Sequence, residues 1–327
     1  MKLFIKCVDG KLRNVILHMH FPKTGGSTFN SILNREFGKK HYALSFFKPK
    51  NNAKFHNSNI CWSDVGGTHE ISELTPVWEF DATDIFDMLE YNKDAIAVSR
   101  HGIFLEHTNL NADNNEFDGT NNIKDFRSKK YNIFPIFFLR KILFWHMSLY
   151  FQQRRDPEYM VRSSYDPRVI VAKTGNLREY TQFCVDHAND LDYHKIMFNW
   201  TEYAIDMMVR HIKLYQIGIT ERYNESLVVM EQKLAKYFPG IDLSYSTWIN
   251  VDENRRTNTE MQNMSELKKW IGEELVEKFT TSYPQSTKLY NIINAELDNR
   301  ISCIPDFGQK MDNFERRCQR RALAKRE

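Results

Sequence analysis

The sequence predicts an α/β fold in which a largely parallel central sheet is flanked by helices. Three observations predict it. Short apolar runs bounded by polar residues recur at 14–21, 95–99, 133–139 and 214–219, the pattern of buried strands. Stretches with helical apolar spacing lie between or after them, and strands alternating with helices favour a parallel sheet. The first run ends in Pro22-Lys23-Thr24-Gly25-Gly26, a turn that leads directly into a helical pattern.

Taken in order, Asn14–Phe21 (NVILHMHF) is the opening strand. Ser27–Phe37 carries Phe29, Ile32, Leu33 and Phe37 at helical spacing, and Gly38 stops it. Residues 48–59 are polar and read as a loop, and Ala95–Ser99 as a strand ending at Arg100-His101-Gly102. The Asn-rich stretch 109–122 suits a solvated loop or lid. Ile133–Leu139 is a strand in which Pro135 is unusual, followed by Arg140 and an aromatic-rich helix over 142–153. A polar link at 154–175 precedes helices at 176–189 and 200–212, a strand at 214–219 and a helix at 224–238. Further helices are predicted at 265–278 and 285–300, and the arginine-rich end reads as a solvated tail.

The 327 residues suit one large domain or two modest ones at ~150 residues per domain, and one domain is the reading taken. That domain is 1–327, with a core at about 14–300 and a basic tail at 313–327. A chain of this length buries roughly three quarters of its unfolded surface and needs no staple. An apolar content of 42% with 23 Phe excludes a disordered chain, and 13 Gly with 9 Pro excludes a low-complexity one. The 45 basic and 42 acidic residues nearly balance, so no nucleic-acid partner is predicted. No apolar run approaches the ~20 residues of a membrane span. Lys6, Asp9, Lys11 and Arg13 interrupt the first 20 residues, so a cytoplasmic location is expected. The five cysteines (Cys7, Cys61, Cys184, Cys303, Cys318) are scattered, which favours reduced thiols; Cys303 with Cys318 is the pairing open in an oxidising compartment.

In the turn, Gly25 and Gly26 allow the backbone to approach a ligand closely. The N–H groups and positive end of the following helix face whatever occupies the turn. Lys23 adds charge, while Thr24, Ser27 and Thr28 add hydroxyl donors. The assembly is P-loop-like and suits a phosphate or sulfate. An ordinary strand-to-helix turn with Ser as N-cap is the plain alternative. A nucleoside triphosphatase loop is a third, but G-x-x-x-x-G-K-[ST] is absent, because the lysine precedes the glycines.

His20-Phe21-Pro22-Lys23-Thr24-Gly25-Gly26-Ser27-Thr28 resembles the PKTGGT loop of sulfotransferases related to the heparan sulfate 2-O- and 6-O-sulfotransferases and their bacterial relatives. The resemblance implies that Lys23 to Thr28 grip the 5′-phosphosulfate of 3′-phosphoadenosine-5′-phosphosulfate (PAPS). It implies that Arg140 and Ser148, eight residues apart, hold the 3′-phosphate as a forked cation and a hydroxyl donor. Taken singly, these would be a surface ion pair and a tolerated helix residue. Family members place Asp-Pro after the arginine where this chain has Lys141-Ile142, so the helix start can differ. Ile217–Leu227 (IGITERYNESL) is similar to the family's G-[LVI]-T-E-R-[FY]-x-E-S-L stretch, whose role is mainly architectural. Arg255 and Arg256 fall where relatives place a loop over the cofactor; they either meet the 3′-phosphate or form a solvated basic pair.

By the same resemblance, His101 is the candidate general base, with the order His-Gly where many relatives read Gly-His. A histidine with an ordinary pKa near 6.5 can accept a hydroxyl proton at neutral pH. His20 and His107 are rivals, although His18 and His20 share one strand face and read as packing residues. The implied reaction is in-line transfer of a sulfuryl group to the hydroxyl of a carbohydrate or small metabolite, with Lys23 stabilising the departing phosphate. A sulfuryl group carries less negative charge than a phosphoryl group, so no metal is expected. Two other readings remain at this point: a magnesium-dependent kinase-like enzyme, and an anion- or glycan-binding module on the same fold without catalysis.

Overall fold

The computed structural model describes residues 12–21, 23–44, 47–49, 74–76, 89–90, 92–101, 131–155, 167–191, 209–210, 212–246 and 260–324. The opening strand β1 (Arg13–His20) passes through the turn into α1 (Gly26–Phe37). A single 3-10 turn leads to β2 (His41–Leu44); later come β5 (Ala97–His101), β6 (Tyr131–Leu139) and β7 (Gln216–Ile219). These five form one sheet in the order β2-β5-β1-β6-β7, and every neighbouring pair is parallel. Two short strands, β3 (Phe47–Pro49) and β4 (Leu74–Pro76), pair antiparallel in a separate ladder. Pro135 is tolerated in β6 because it precedes Ile136, where β7 begins to pair, so one side of the strand is still open there.

Beyond β6 come α2 (Ile142–Arg155), α3 (Pro167–Thr174), α4 (Leu177–Asp186) and the single turn α5 (Ala188–Leu191). A 3-10 turn (Thr220–Arg222) joins β7 to α6 (Tyr223–Leu234). The described residues end with α7 (Glu260–Ile271), α8 (Glu273–Ser282), α9 (Pro284–Ser302) and α10 (Phe307–Ala324).

Helices cover both faces of the sheet. Along β1, Val15, Leu17 and Met19 enter one apolar cluster and Ile16 the other, as the two-residue period of a strand requires. The first cluster is completed mainly by α2, α4, α7, α8 and α9, the second by α1, α6 and α10. The connections that leave the adjacent strands β1 and β6 therefore depart toward opposite faces. The carboxyl ends of those two strands bound the crevice where parallel sheets of this type hold ligands.

Several expectations are corrected. The described ends of the 154–175 link are helical, because α2 continues to Arg155 and α3 covers Pro167–Thr174; residues 156–166 lie outside the described residues. The helix expected over 265–278 is two helices that meet at Gly272, whose φ of 90° lies outside the helical range. The solvated tail is α10, which is seated on α6 by the fully buried Phe314. The expectation of reduced thiols needs no correction at the described cysteines: Cys184, Cys303 and Cys318 are free. The lid at 109–122 and most of the helix at 200–212 lie outside the described residues. Among the described residues, no helix is long and apolar enough to cross a membrane.

Candidate functional site

The turn after β1 is defined by its carbonyl groups. The Arg140 Nη1 group donates to the Lys23 carbonyl at 3.1 Å. The Thr220 hydroxyl lies 2.9 Å from the Thr24 carbonyl and 2.9 Å from that of Leu139, sharing one proton between them. The Tyr223 hydroxyl donates to the Gly25 carbonyl at 3.1 Å, and this carbonyl also accepts the first helical bond, from Phe29 N–H at 3.2 Å. Three successive carbonyls are thus pinned toward the protein. In a trans peptide the N–H points opposite to its C=O, and the described chain has no cis peptide. The amides of Thr24, Gly25 and Gly26 consequently point away from these three hydrogen-bonding partners.

Helix α1 leaves its positive end uncompensated. Its N-cap is Gly25, with no side-chain cap, and its first turn holds no acidic residue. Helices commonly carry one or both, since either offsets the unpaired amides. Lys23 adds a further signature: it is one of only two non-glycine residues with positive φ among the described residues, at 64°. A β-carbon is disfavoured there, so the turn holds a lysine at an energetic cost that a glycine would avoid.

The two glycines are required for different reasons. Gly25 has φ 87°, and a Cβ on it would lie 2.9 Å from the Tyr223 ring. A Cβ on Gly26 would lie 1.9 Å from His20 Cδ2 and 2.4 Å from its Nε2. The imidazole of His20 therefore occupies the space beside the first residue of the helix.

The Thr220–Tyr223 segment fastens this turn from behind. Glu221, on a side chain 6% exposed, accepts from the Lys141 amide at 3.1 Å and from the Tyr290 hydroxyl at 3.2 Å, and lies 3.9 Å from Arg140 Nε. Lys141 opens α2, its carbonyl accepting from Trp145 N–H at 2.9 Å. A glutamate from another element thus serves the helix start where the sequence lacks Asp-Pro. Ser226 accepts from the Ile219 amide at 2.9 Å and ties the end of β7 to α6.

Below the turn lies a buried polar network on the α1 side of the sheet. His41 Nδ1 is 2.6 Å from Asn34 Oδ1, and its Nε2 is 2.7 Å from Ser99 Oγ. His18 Nδ1 is 3.2 Å from Ser99 Oγ and 2.7 Å from Asn30 Oδ1, while Asn30 Nδ2 lies 3.4 Å from His20 Nδ1. The three histidines and Ser99 are each at most 4% exposed. Burial pulls His41 from 6.5 down to about 4, so it is neutral near pH 7.

Of the residues singled out in the sequence, Lys23, Thr24, Gly25, Gly26, Ser27, Thr28 and Arg140 are brought to one end of the sheet. Thr24 needs a correction: its hydroxyl is buried and donates to the Phe21 carbonyl at 2.8 Å. Thr28 is likewise 1% exposed. Ser148 lies on α2 about 9 Å along the axis from its first residue, at 1.5 Å per residue; no hydrogen bond among the described residues links it to Arg140 or to the turn. His101 closes β5, and its backbone is in register with His20 on β1. His107, Arg255 and Arg256 lie outside the described residues. The sequence reading missed Tyr223, Thr220 and Glu221 as clamps on the turn, and Asn30, Ser99 and His41 beneath it. The nearest available signal was Asn30 and Asn34, spaced by one helical turn between apolar residues.

No protein-family model matches the chain, and no curated protein or solved structure matches it.

Proposed function

We propose that this chain is a sulfotransferase that moves a sulfuryl group from PAPS to an acceptor hydroxyl on a carbohydrate or small metabolite. The observation that carries the reading is the turn at 23–26, whose three carbonyls are held by Arg140, Thr220 and Tyr223; in this reading its amides cup an anion. Arg140 stands against this cup from the adjacent strand end. A ligand with two anionic ends on one nucleoside suits such a pair of neighbouring cations. The sequence resemblance at His20–Thr28 and Ile217–Leu227 supplies the choice of sulfuryl transfer.

In this mechanism the acceptor oxygen attacks sulfur as the bond from sulfur to the 5′-phosphate oxygen breaks. The acceptor proton passes to His101. The charge that develops on the departing phosphate is met by Lys23 and by the amides of Thr24, Gly25 and Gly26. Alignment and fixed electrostatics provide most of the acceleration, as in phosphoryl transfer. Ser27 and Ser148, with Arg255 and Arg256, complete the set assigned to the nucleotide.

The test combines two measurements. Calorimetry with adenosine 3′,5′-bisphosphate should show binding that Arg140→Ala weakens. Transfer of radiolabelled sulfate from PAPS to a panel of glycans and hydroxylated metabolites should be abolished by Lys23→Ala and by His101→Ala. Absence of bisphosphate binding, or sulfate transfer that survives all three substitutions, overturns the proposal.

A further inference from the structure

The hydrogen-bond network under the turn has a direction. The neutral His41 bears its proton on Nδ1, which donates to Asn34 Oδ1, so its bare Nε2 accepts from the Ser99 hydroxyl. The Ser99 proton is then committed, and its oxygen can only accept from His18 Nδ1–H, which also donates to Asn30 Oδ1. Reversing the direction would aim two donors, Ser99 and Asn30, at the single lone pair of His18 Nδ1. Since the Asn30 oxygen serves His18, its amide nitrogen donates to His20 Nδ1. One asparagine between two imidazoles thus gives them opposite tautomers, and His20 carries its proton on Nε2. That edge of the ring is the one lying beside Gly26, where α1 begins.

We propose that His20 is a ligand-binding residue of the anion cup, a neutral imidazole whose Nε2–H donates to the bound phosphate or sulfate group, and that Asn30 acts as the positioning residue that holds this tautomer. The proposal rests on the reading of the turn as an anion site. It gives His20 a role distinct from proton abstraction: with Nδ1 occupied by Asn30 and Nε2 protonated, it has no lone pair for a substrate proton. It also gives Gly26 a purpose, because any side chain there would displace the donor.

Asn30→Asp tests it with almost no change of shape. A carboxylate accepts from both imidazoles, so at a pH high enough to keep the ring from taking up a second proton beside the new charge, His20 moves its proton to Nδ1 and turns a lone pair toward the anion. The readouts are the ring ¹⁵N shifts of histidine-labelled protein and titrations with inorganic phosphate, inorganic sulfate and adenosine 3′,5′-bisphosphate. Wild-type protein should show His20 as the Nε2–H tautomer, with its Nε2 resonance moving on saturation with anion. The variant should show Nδ1–H at an unchanged melting temperature, with affinity lower by about tenfold or more, the loss expected of one hydrogen bond to a charged group. An Nδ1–H tautomer in the wild type, or equal affinity in Asn30→Asp, overturns the inference. Bisphosphate binding that leaves the His20 resonance unmoved overturns it while the sulfotransferase reading stands. Phosphate and sulfate that move this resonance where bisphosphate does not bind support the inference and remove the nucleotide reading.

Discussion

Lys23 makes the energetic character of the turn measurable. A lysine at φ 64° is strained, and a glycine there would relieve the strain while removing the charge. Lys23→Gly is expected to raise unfolding stability by up to about 1 kcal/mol in urea titrations and to abolish adenosine 3′,5′-bisphosphate binding. Lys23→Ala should lose binding with no gain in stability. Gly26→Ala is a different case: the added carbon would overlap the His20 ring, and a cost of about 1–3 kcal/mol is expected for a clash that a packed core cannot relax. The turn itself was legible in the sequence, because a proline and two glycines between an apolar run and a helical pattern mark a tight strand-to-helix connection. The reason for each glycine was not legible, since it depends on rings contributed by Tyr223 and His20. Thr24 shows the reverse error: a hydroxyl in a loop suggests a ligand contact, whereas the nearby Phe21 carbonyl claims it.

Among the elements, the turn from β7 into α6 does most to hold the site. Thr220→Val keeps the volume but strips the proton from two carbonyls, those of Thr24 and Leu139. A loss of about 1–2 kcal/mol in stability should come with weaker bisphosphate affinity, because the Thr24 carbonyl is then free to swing and carry the Gly25 amide with it. The sequence displayed Ile217–Leu227 as a distinctive stretch without showing that it grips residues nearly 200 positions earlier. Strand β2 was hidden for a related reason: four residues, one of them the buried His41, make no apolar run. Its burial among α1 and β5 is tertiary. That burial has a pH consequence. With a folded value of about 4 against 6.5 unfolded, His41 binds fewer protons folded than unfolded within this window. Its contribution is complete above about pH 6.5 and falls away toward pH 4, by about 3 kcal/mol at 1.36 kcal/mol per unit. Denaturant titrations from pH 7 to pH 4 should show this loss, and His41→Gln should flatten it.

At the scale of the whole molecule, α1 and α6 on one face of the sheet are joined to the C-terminal helix by an ion-pair knot at the far end of α1 from the turn. Arg317 pairs with Glu231 at 2.7 Å and with Asp242, Arg321 pairs with Asp242 and donates to Ser244, and Arg35 of α1 donates to the Asp242 and Ser244 carbonyls. Six arginines or lysines in the last 15 residues suggested solvation from composition alone. What composition could not show is that Phe314, Arg317 and Arg321 recur at helical spacing and find acceptors on Glu231 and Asp242. Burial by itself would raise the Asp242 carboxyl, but hydrogen bonds from Ser244 and Arg321, with the charge on Arg317, hold it at about 2. A carboxyl depressed below its ordinary 3.8 stabilises the fold fully above that value, and its contribution disappears as pH falls toward 2. The acid response of this protein should therefore come in two separable stages, one from His41 between 6.5 and about 4 and one from Asp242 below that. Asp242→Asn should lower stability at neutral pH and erase the second stage while leaving the first. Because the knot binds the far end of α1, the same variant should bind adenosine 3′,5′-bisphosphate within about twofold of wild type, as expected for distant sites with no shared partner. A larger loss of affinity would mean that α10 communicates with the turn, and a single unbroken acid transition would mean that the two groups do not titrate independently.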